Sequence, residues 1–103
     1  MHVTVLISCP DVNSADSISK ALLEKRLSAC TSIIPCVRSR YWWKGELKSA
    51  DEALLIAKTT ANKFPDIEKA AKKLHPYEVP EIIALPIAEG SKNYLEWIGK
   101  ETR

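Results

Sequence analysis

Two long β-prone segments flank the dipeptide Lys44-Gly45, and their length is the strongest constraint that this sequence places on its fold. Cys30–Trp43 contains no helix cap and is rich in Ile, Val, Tyr and Trp, and Glu46–Lys58 follows the dipeptide. Gly45 supplies the positive φ that a tight turn requires. The two segments therefore predict a β-hairpin with arms of about 13 residues each.

Such a hairpin is longer than the domain that carries it. A compact chain of 103 residues has a radius of gyration of about 13 Å and a diameter of roughly 33 Å. An arm of about 13 residues spans roughly 43 Å, which leaves an overhang of about 10 Å. The overhang carries Tyr41, Trp42 and Trp43, and exposed aromatics on a strand edge favour cover by another chain. We therefore expect closed self-association, although the strand length leaves the subunit number open. The alternative is a hairpin that bends at Pro35 and folds back over its own core.

The other segments predict an α+β fold. Val3–Ser8 is continuously apolar and β-branched, as is typical of a buried central strand. Asn13 or Ser14 can cap a first helix that runs to about Leu27.

Thr59 or Thr60 is expected to open a second helix, and Val79–Ile87 reads as a fourth strand with a proline near each end. Ser91 can cap a last helix. The order is βαββαβ with an additional C-terminal helix, which is the ferredoxin-like pattern of four antiparallel strands with two helices on one face. We expect one domain spanning residues 1–103.

Charge and cysteine content exclude several classes of function. The chain has 15 basic and 13 acidic side chains and a net charge of +2, too balanced for binding nucleic acid mainly through phosphates. No apolar run approaches the length of a membrane-spanning helix. Cys9, Cys30 and Cys36 form an odd set without paired spacing, which indicates a reducing compartment and a cytoplasmic location. A leader removed before residue 1 is the open alternative.

His75 is the main candidate for chemistry. It lies where the second helix gives way to the fourth strand, and Glu78 follows closely. Imidazole and carboxylate can bind Cu²⁺, Zn²⁺ or Ni²⁺, and the Cys30 thiolate would add a softer ligand. The alternative is a structural histidine that completes a hydrogen-bond network at the helix end. A small anionic ligand near Lys58 is a further alternative. A hydrolase or oxidoreductase is disfavoured because no nucleophile–base pair or cofactor motif is evident.

Motifs along nearly the whole chain point to one family. They are Ser28-Ala29-Cys30, Ile33-Ile34-Pro35, Tyr41-Trp42-Trp43-Lys44-Gly45-Glu46, Leu55-Ile56-Ala57-Lys58-Thr59, the stretch from His75 to Ile87, and Tyr94-Leu95-Glu96-Trp97. In this order they resemble the CutA family of divalent-cation tolerance proteins.

The resemblance implies a ferredoxin-like subunit in a tight homotrimer and a role in tolerance to divalent metals, copper above all. We expect this role to be non-enzymatic and to need no obligatory cofactor. Together with the isolated histidine, it supports the hypothesis of weak Cu(II) binding through His75 with Glu78 or Cys30. It also implies recurrent polar positions, of which we assign four to a cleft between subunits: Lys44, Glu46, Lys58 and Tyr77. We expect the aromatic residues of the trimer interface to be Tyr41, Trp42, Trp43 and Trp97. The alternative function is a PII-like signalling trimer that binds a small metabolite or anion in that cleft.

Two positions depart from the family pattern. Cys36 stands where the family usually has glycine, so the strand kink after Pro35 can differ. Leu74-His75 stands where some bacterial members have a pair of histidines, so a metal site that uses both imidazoles does not carry over to this chain.

Overall fold

The computed structural model of the chain describes all 103 residues and contains one sheet and three α-helices. The strands are β1 (His2–Cys9), β2 (Cys30–Trp43), β3 (Glu46–Thr60) and β4 (Ile82–Pro86). The helices are α1 (Val12–Glu24), α2 (Phe64–Leu74) and α3 (Lys92–Glu101), with a 3-10 turn at Ala61–Lys63. The predicted βαββαβ order with an additional C-terminal helix is confirmed.

The four strands form one antiparallel sheet in the order β2-β3-β1-β4. β1 lies in the interior of the sheet, where Leu6 pairs with Ile56 on β3 and with Ile83 on β4. A strand with neighbours on both sides is what the apolar run Val3–Ser8 predicts.

The core lies between one face of this sheet and the helices α1 and α2. Alternate side chains of β1, including Val5 and Ile7, are fully buried on that face. Ile18 and Leu22 of α1 and Ile67 of α2 are also fully buried and belong to the same cluster. The two helices therefore cover only one side of the sheet, as predicted.

The opposite face of the sheet is apolar and only partly covered. Leu6 and Ile56 are half-buried there, whereas Ile83 and Leu85 of β4 are 45% and 47% exposed. Helix α3 contacts one end of this face, where the Tyr94 hydroxyl lies 3.4 Å from the Cys30 sulfur. No helix of the chain has both the length and the apolar character that crossing a membrane requires.

The β2–β3 hairpin makes the molecule elongated, as its length predicts. Its strands have 14 and 15 residues and stay paired from Cys30 opposite Lys58 to Trp43 opposite Glu46. The molecule measures 44 × 26 × 22 Å, and no residue from 35 to 51 is buried. The register shifts only between Ile34 and Val37, a β-bulge that contains Pro35. The alternative in which the hairpin folds back at Pro35 is therefore wrong.

The first helix begins earlier and ends earlier than predicted. Its N-cap is Asp11, whose carboxylate accepts a 2.8 Å hydrogen bond from the Ser14 N–H, so neither Asn13 nor Ser14 is the cap. This bond to the Ser14 amide lowers the pKa of Asp11. The helix ends at Glu24 rather than near Leu27 because Arg26 adopts a φ of 57°.

Two strand boundaries also differ from the prediction. β3 continues through Thr60, since Val3 and His2 of β1 pair with Thr59 and Thr60, and α2 begins only at Phe64. β4 begins at Ile82 rather than at Val79.

Candidate functional site

His75 joins the end of α2 to the end of β1. Its side chain is buried, with Nε2 2.6 Å from the Ser8 carbonyl oxygen. The Tyr77 N–H donates to Nδ1 at 3.1 Å, which requires the neutral ring to carry its proton on Nε2 and to donate it to Ser8. Both ring nitrogens are thus engaged within the chain. This arrangement matches the alternative expectation of a structural histidine that completes a hydrogen-bond network at the helix end.

Tyr77 holds a buried carboxylate. Its hydroxyl donates to Glu52 Oε2 at 2.8 Å, and its ring lies 5.0 Å from the His75 ring. Burial raises the pKa of Tyr77 above its ordinary value, and the hydrogen bond to Glu52 adds to the effect. Glu52 is only 6% exposed and lies opposite Val37, just past the bulge. Sequence reasoning missed Glu52 because an acidic residue next to an apolar run reads as the solvated end of a strand.

Two residues of β1 complete this region. Ser8 Oγ donates to Glu81 Oε1 at 3.1 Å and ties the segment before β4 to β1. Cys9 is fully buried beside them, and burial raises the pKa of its thiol to about 11. Cys9 is therefore a protonated thiol at neutral pH rather than a nucleophile.

These groups border a cavity of about 740 Å³ between the hairpin and the segment from 76 to 81. That volume lies within the range of small-molecule sites. Its walls combine aromatic, acidic and basic side chains: Ser8, Ser39, Arg40, Tyr41, Trp42, Trp43, Lys48, Glu52, Pro76, Tyr77, Glu78, Val79 and Glu81. Of the predicted site residues, Tyr77, Glu78 and the three hairpin aromatics meet here.

The structure does not bring the three predicted metal ligands together. No group of three or more His, Cys, Asp or Glu side chains is placed to hold a metal ion. His75 bonds to Ser8 on β1, whereas Cys30 shares a row of the sheet with Thr4 through Lys58. Ser8 and Thr4 are four residues apart along β1, a distance of about 13 Å. Cys30 instead contacts Tyr94, whose pKa is raised by that contact.

The four residues predicted to form one cleft are also separated within a chain. Lys44 and Glu46 lie at the hairpin tip, and Lys58 lies near the opposite end of β3. Only Tyr77 lines the cavity. Trp97 packs near Tyr94 on α3, with ring centroids 5.6 Å apart, away from the hairpin tip. A cleft that unites these residues requires more than one chain.

Comparisons with known proteins agree with the fold. The family model described as CutA1 divalent ion tolerance protein matches residues 3–101. The divalent-cation tolerance protein CutA of Thermus thermophilus is 49% identical over 102 residues, which cover 99% of each chain.

Solved structures give the same result. The structure of the divalent cation tolerance protein Cut A1 from Thermus thermophilus superposes with a TM-score of 0.97 at 48% identity, over 100% of each chain. The periplasmic divalent cation tolerance protein CutA from Archaeoglobus fulgidus gives a TM-score of 0.96 at 38% identity, again over 100% of each chain. With a family model spanning nearly all of its residues and close relatives over its full length, this chain belongs to the CutA1 family of divalent ion tolerance proteins.

Proposed function

We propose that this chain serves in tolerance to divalent cations as a non-enzymatic homotrimer that binds Cu²⁺ or another divalent cation weakly. Membership in the CutA1 family is the observation that carries the proposal. The family is named for tolerance and not for a reaction, which supports a binding role.

Two uncovered regions of the chain support self-association. The outer half of the hairpin exposes 72% of Trp42 and 62% of Leu47. The sheet face opposite α1 and α2 exposes Ile83 and Leu85. Apolar area of this kind, on an elongated subunit with open strand edges, is typical of an interface between copies of a chain.

Weak cation binding is supported by carboxylates that remain accessible. Glu78 and Glu81 border the cavity and are exposed, so their oxygens can reach a cation. His75 can contribute only after it gives up the Ser8 or the Tyr77 hydrogen bond. Binding that requires such an exchange is weaker than binding at a preformed site.

Calorimetric titration with Cu²⁺ tests the role of His75. We expect His75→Ala to lose most of the heat released by saturable Cu²⁺ binding. Glu78→Gln, a change at an exposed residue, should lose part of that heat. His2→Ala is the matched control because it removes the only other imidazole of the chain. Curves for His75→Ala and Glu78→Gln that coincide with the wild-type curve would remove both residues from the proposal.

We also propose a cytoplasmic location. Cys9, Cys30 and Cys36 are all free, and exposed free thiols such as that of Cys36 persist best in a reducing compartment. The Archaeoglobus fulgidus relative is described as periplasmic. Fractionation of the native host, with detection of this chain by antibody, distinguishes the two compartments.

A further inference from the structure

A second surface cavity lies along one side of α3. Its volume of about 750 Å³ is within the range of small-molecule sites. Gly90, Leu95 and Gly99 border it, and Leu95 is the only apolar side chain among its walls. Walls of this kind offer little to an apolar ligand, so an occupant must be recognised by charge and hydrogen bonds.

This side of α3 is turned away from Trp97, the residue of the helix that we expect in the trimer interface. Lys92, Leu95 and Gly99 line the cavity and share one side because they are three and seven positions apart. Trp97 lies about 140–160° around the helix from each of them. No residue assigned above to the interface or to cation binding lines this cavity.

Positive charge predominates around the cavity. Its basic residues are Lys92, Lys100 and Arg103, and Glu96 is its one acidic residue. None of these four side chains takes part in an ion pair of the chain, although Glu96 is four positions from each lysine. The three cations are therefore unpaired, and their field attracts an anion.

Helix stability accounts for one of these lysines and not for the other. Lys100 lies in the last turn of α3, where a cation is favourable because it offsets the helix dipole. Lys92 lies in the first turn, which holds no acidic residue and where a cation is unfavourable. An anion bound beside Lys92 would offset this unfavourable charge.

The imidazole of His2 adds a hydrogen-bond donor from β1. His2 is half-buried, and its Nε2 lies 4.0 Å from the point that a Cβ on Gly99 would occupy, so the ring reaches the middle of α3. Its ring nitrogens form no hydrogen bond within the chain. A neutral imidazole carries one N–H, which can donate to an oxygen of an anion.

The charges are arranged as two positive ends with a carboxylate between them. Lys92 forms one end, and Lys100 lies about 12 Å further along the helix axis, on the same level as His2. Glu96 is midway between the two lysines. A compact anion placed between the lysines would meet the Glu96 carboxylate, whereas two separated anionic groups would avoid it.

We propose that this cavity binds a sugar bisphosphate, a small polar molecule with an anionic group at each end. One phosphate pairs with Lys92, and the other pairs with Lys100 and Arg103 and accepts from His2. Hydroxyl groups of the sugar donate to Glu96. The site uses none of the residues of the cation tolerance proposed above, and each proposal stands without the other.

The three glycines of the chain provide the test. Gly90 and Gly99 line the cavity, whereas Gly45 lies in the hairpin turn. The assembled protein, labelled with ¹⁵N-glycine, is titrated with fructose 1,6-bisphosphate, fructose 6-phosphate and fructose at constant ionic strength, and the amide shifts are followed by NMR.

We expect saturable shifts of Gly90 and Gly99 with Gly45 unmoved. The bisphosphate should bind at least about tenfold more tightly than the monophosphate, and fructose should not bind. Equal affinities for the three probes, equal shifts of all three glycines, or no saturable shift with the bisphosphate would overturn the proposal.

Pyrophosphate tests whether the separation of the two anionic groups matters. It should bind wild type at least about fivefold more weakly than fructose 1,6-bisphosphate, because its charges meet Glu96. Glu96→Gln removes that charge and should strengthen pyrophosphate binding about two- to fivefold. Pyrophosphate that binds wild type as tightly as the bisphosphate would show that charge alone decides, which contradicts the assignment.

Charge-removing variants locate the two ends. Lys92→Gln and Lys100→Gln are changes at exposed residues, and each should weaken bisphosphate binding about five- to tenfold, towards the affinity of the monophosphate. Lys69→Gln removes an exposed lysine of α2 outside the cavity and is the matched control. If either cavity variant binds like wild type, or Lys69→Gln loses as much affinity as they do, the assignment to this cavity is wrong.

Discussion

The two halves of the β2–β3 hairpin share one continuous ladder and have opposite surroundings. Near α1, β3 places Leu55 and Ala57 at 0% exposure. Near the turn, the same strand leaves Leu47 62% exposed, although its neighbours pair just as regularly with β2. Backbone pairing therefore sets the length of the hairpin, whereas helix packing decides which part of it is buried. The helices reach only the inner half, so the aromatic outer half stays uncovered in the single chain.

Truncation of the inner half should have the largest effect. Leu55→Ala opens a space in the fully buried core and should lower the free energy of unfolding by about 2–5 kcal/mol, at every protein concentration. The matched change Leu47→Ala should cost little in the subunit itself. Urea unfolding at several concentrations, followed by circular dichroism, measures both. An equal, concentration-independent loss for the two variants would contradict the division of the hairpin into supported and unsupported halves.

Truncation of an outer aromatic should act on assembly. Trp43→Ala should weaken self-association by about 2 kcal/mol if the ring anchors an interface, a loss that shifts the dissociation midpoint to higher protein concentration. Sedimentation velocity over a dilution series measures the shift. Leu74→Ala removes a comparably exposed apolar side chain from α2 and serves as the control. Identical dilution profiles for wild type and Trp43→Ala would show that Trp43 is no interface residue.

Alkaline pH should probe the point where the buried half of β3 begins, because Cys9 of β1 pairs there with Ala53. The Cys9 pKa is raised from its ordinary 9.0 to about 11 by burial, so the folded state disfavours the thiolate. The resulting contribution to stability is fully present below pH 9 and is lost as the pH rises through 11.

The variant Cys9→Ala isolates this effect from other titrations. Its free energy of unfolding should fall less than that of the wild type between pH 9 and pH 11. Urea melts at intervals across this range provide the comparison, with Cys36→Ala as control because Cys36 is exposed. Parallel pH profiles for wild type and Cys9→Ala would contradict the predicted role of the thiol.

A change in the turn should have the smallest effect and the opposite sign. Lys44 and Gly45 have φ values of 49° and 80°, both in the left-handed region that lysine disfavours. Lys44→Asn should raise the free energy of unfolding by about 0.5–1 kcal/mol because asparagine tolerates this conformation. Thermal unfolding measures this gain in stability, with Lys48→Asn as the control. A destabilised Lys44→Asn would mean that losing the Lys44 contact with Trp43 costs more than the relaxed backbone gains.

The fold was predictable where patterns are long and local. The hairpin length, the buried run Val3–Ser8 and the position of Gly45 were sufficient for the element order and for the overhang. The predicted boundaries of helices and strands were wrong where a side-chain hydrogen bond or pairing with a neighbouring strand determines them. The Asp11 cap rests on one hydrogen bond to Ser14, and pairing with β1 carries β3 through Thr60.

The candidate site was less predictable because its contacts join distant parts of the chain. Tyr77 bonds to Glu52 from 25 positions away, and His75 bonds to Ser8 from 67 positions away. No local pattern predicts that Glu52 is buried, since the Tyr77 side chain that bonds to it comes from the segment after α2. Residues chosen for their chemistry alone, such as Cys30, proved to lie elsewhere.

The mass of the assembled protein tests most directly whether the outer hairpin is covered by other chains. Multi-angle light scattering at micromolar protein, combined with acrylamide quenching of the tryptophans, gives mass and shielding in one sample. The account predicts a particle of three times the 11.5 kDa chain mass, with Trp42 and Trp43 less accessible than their exposure in one chain implies. A stable 11.5 kDa particle would contradict it.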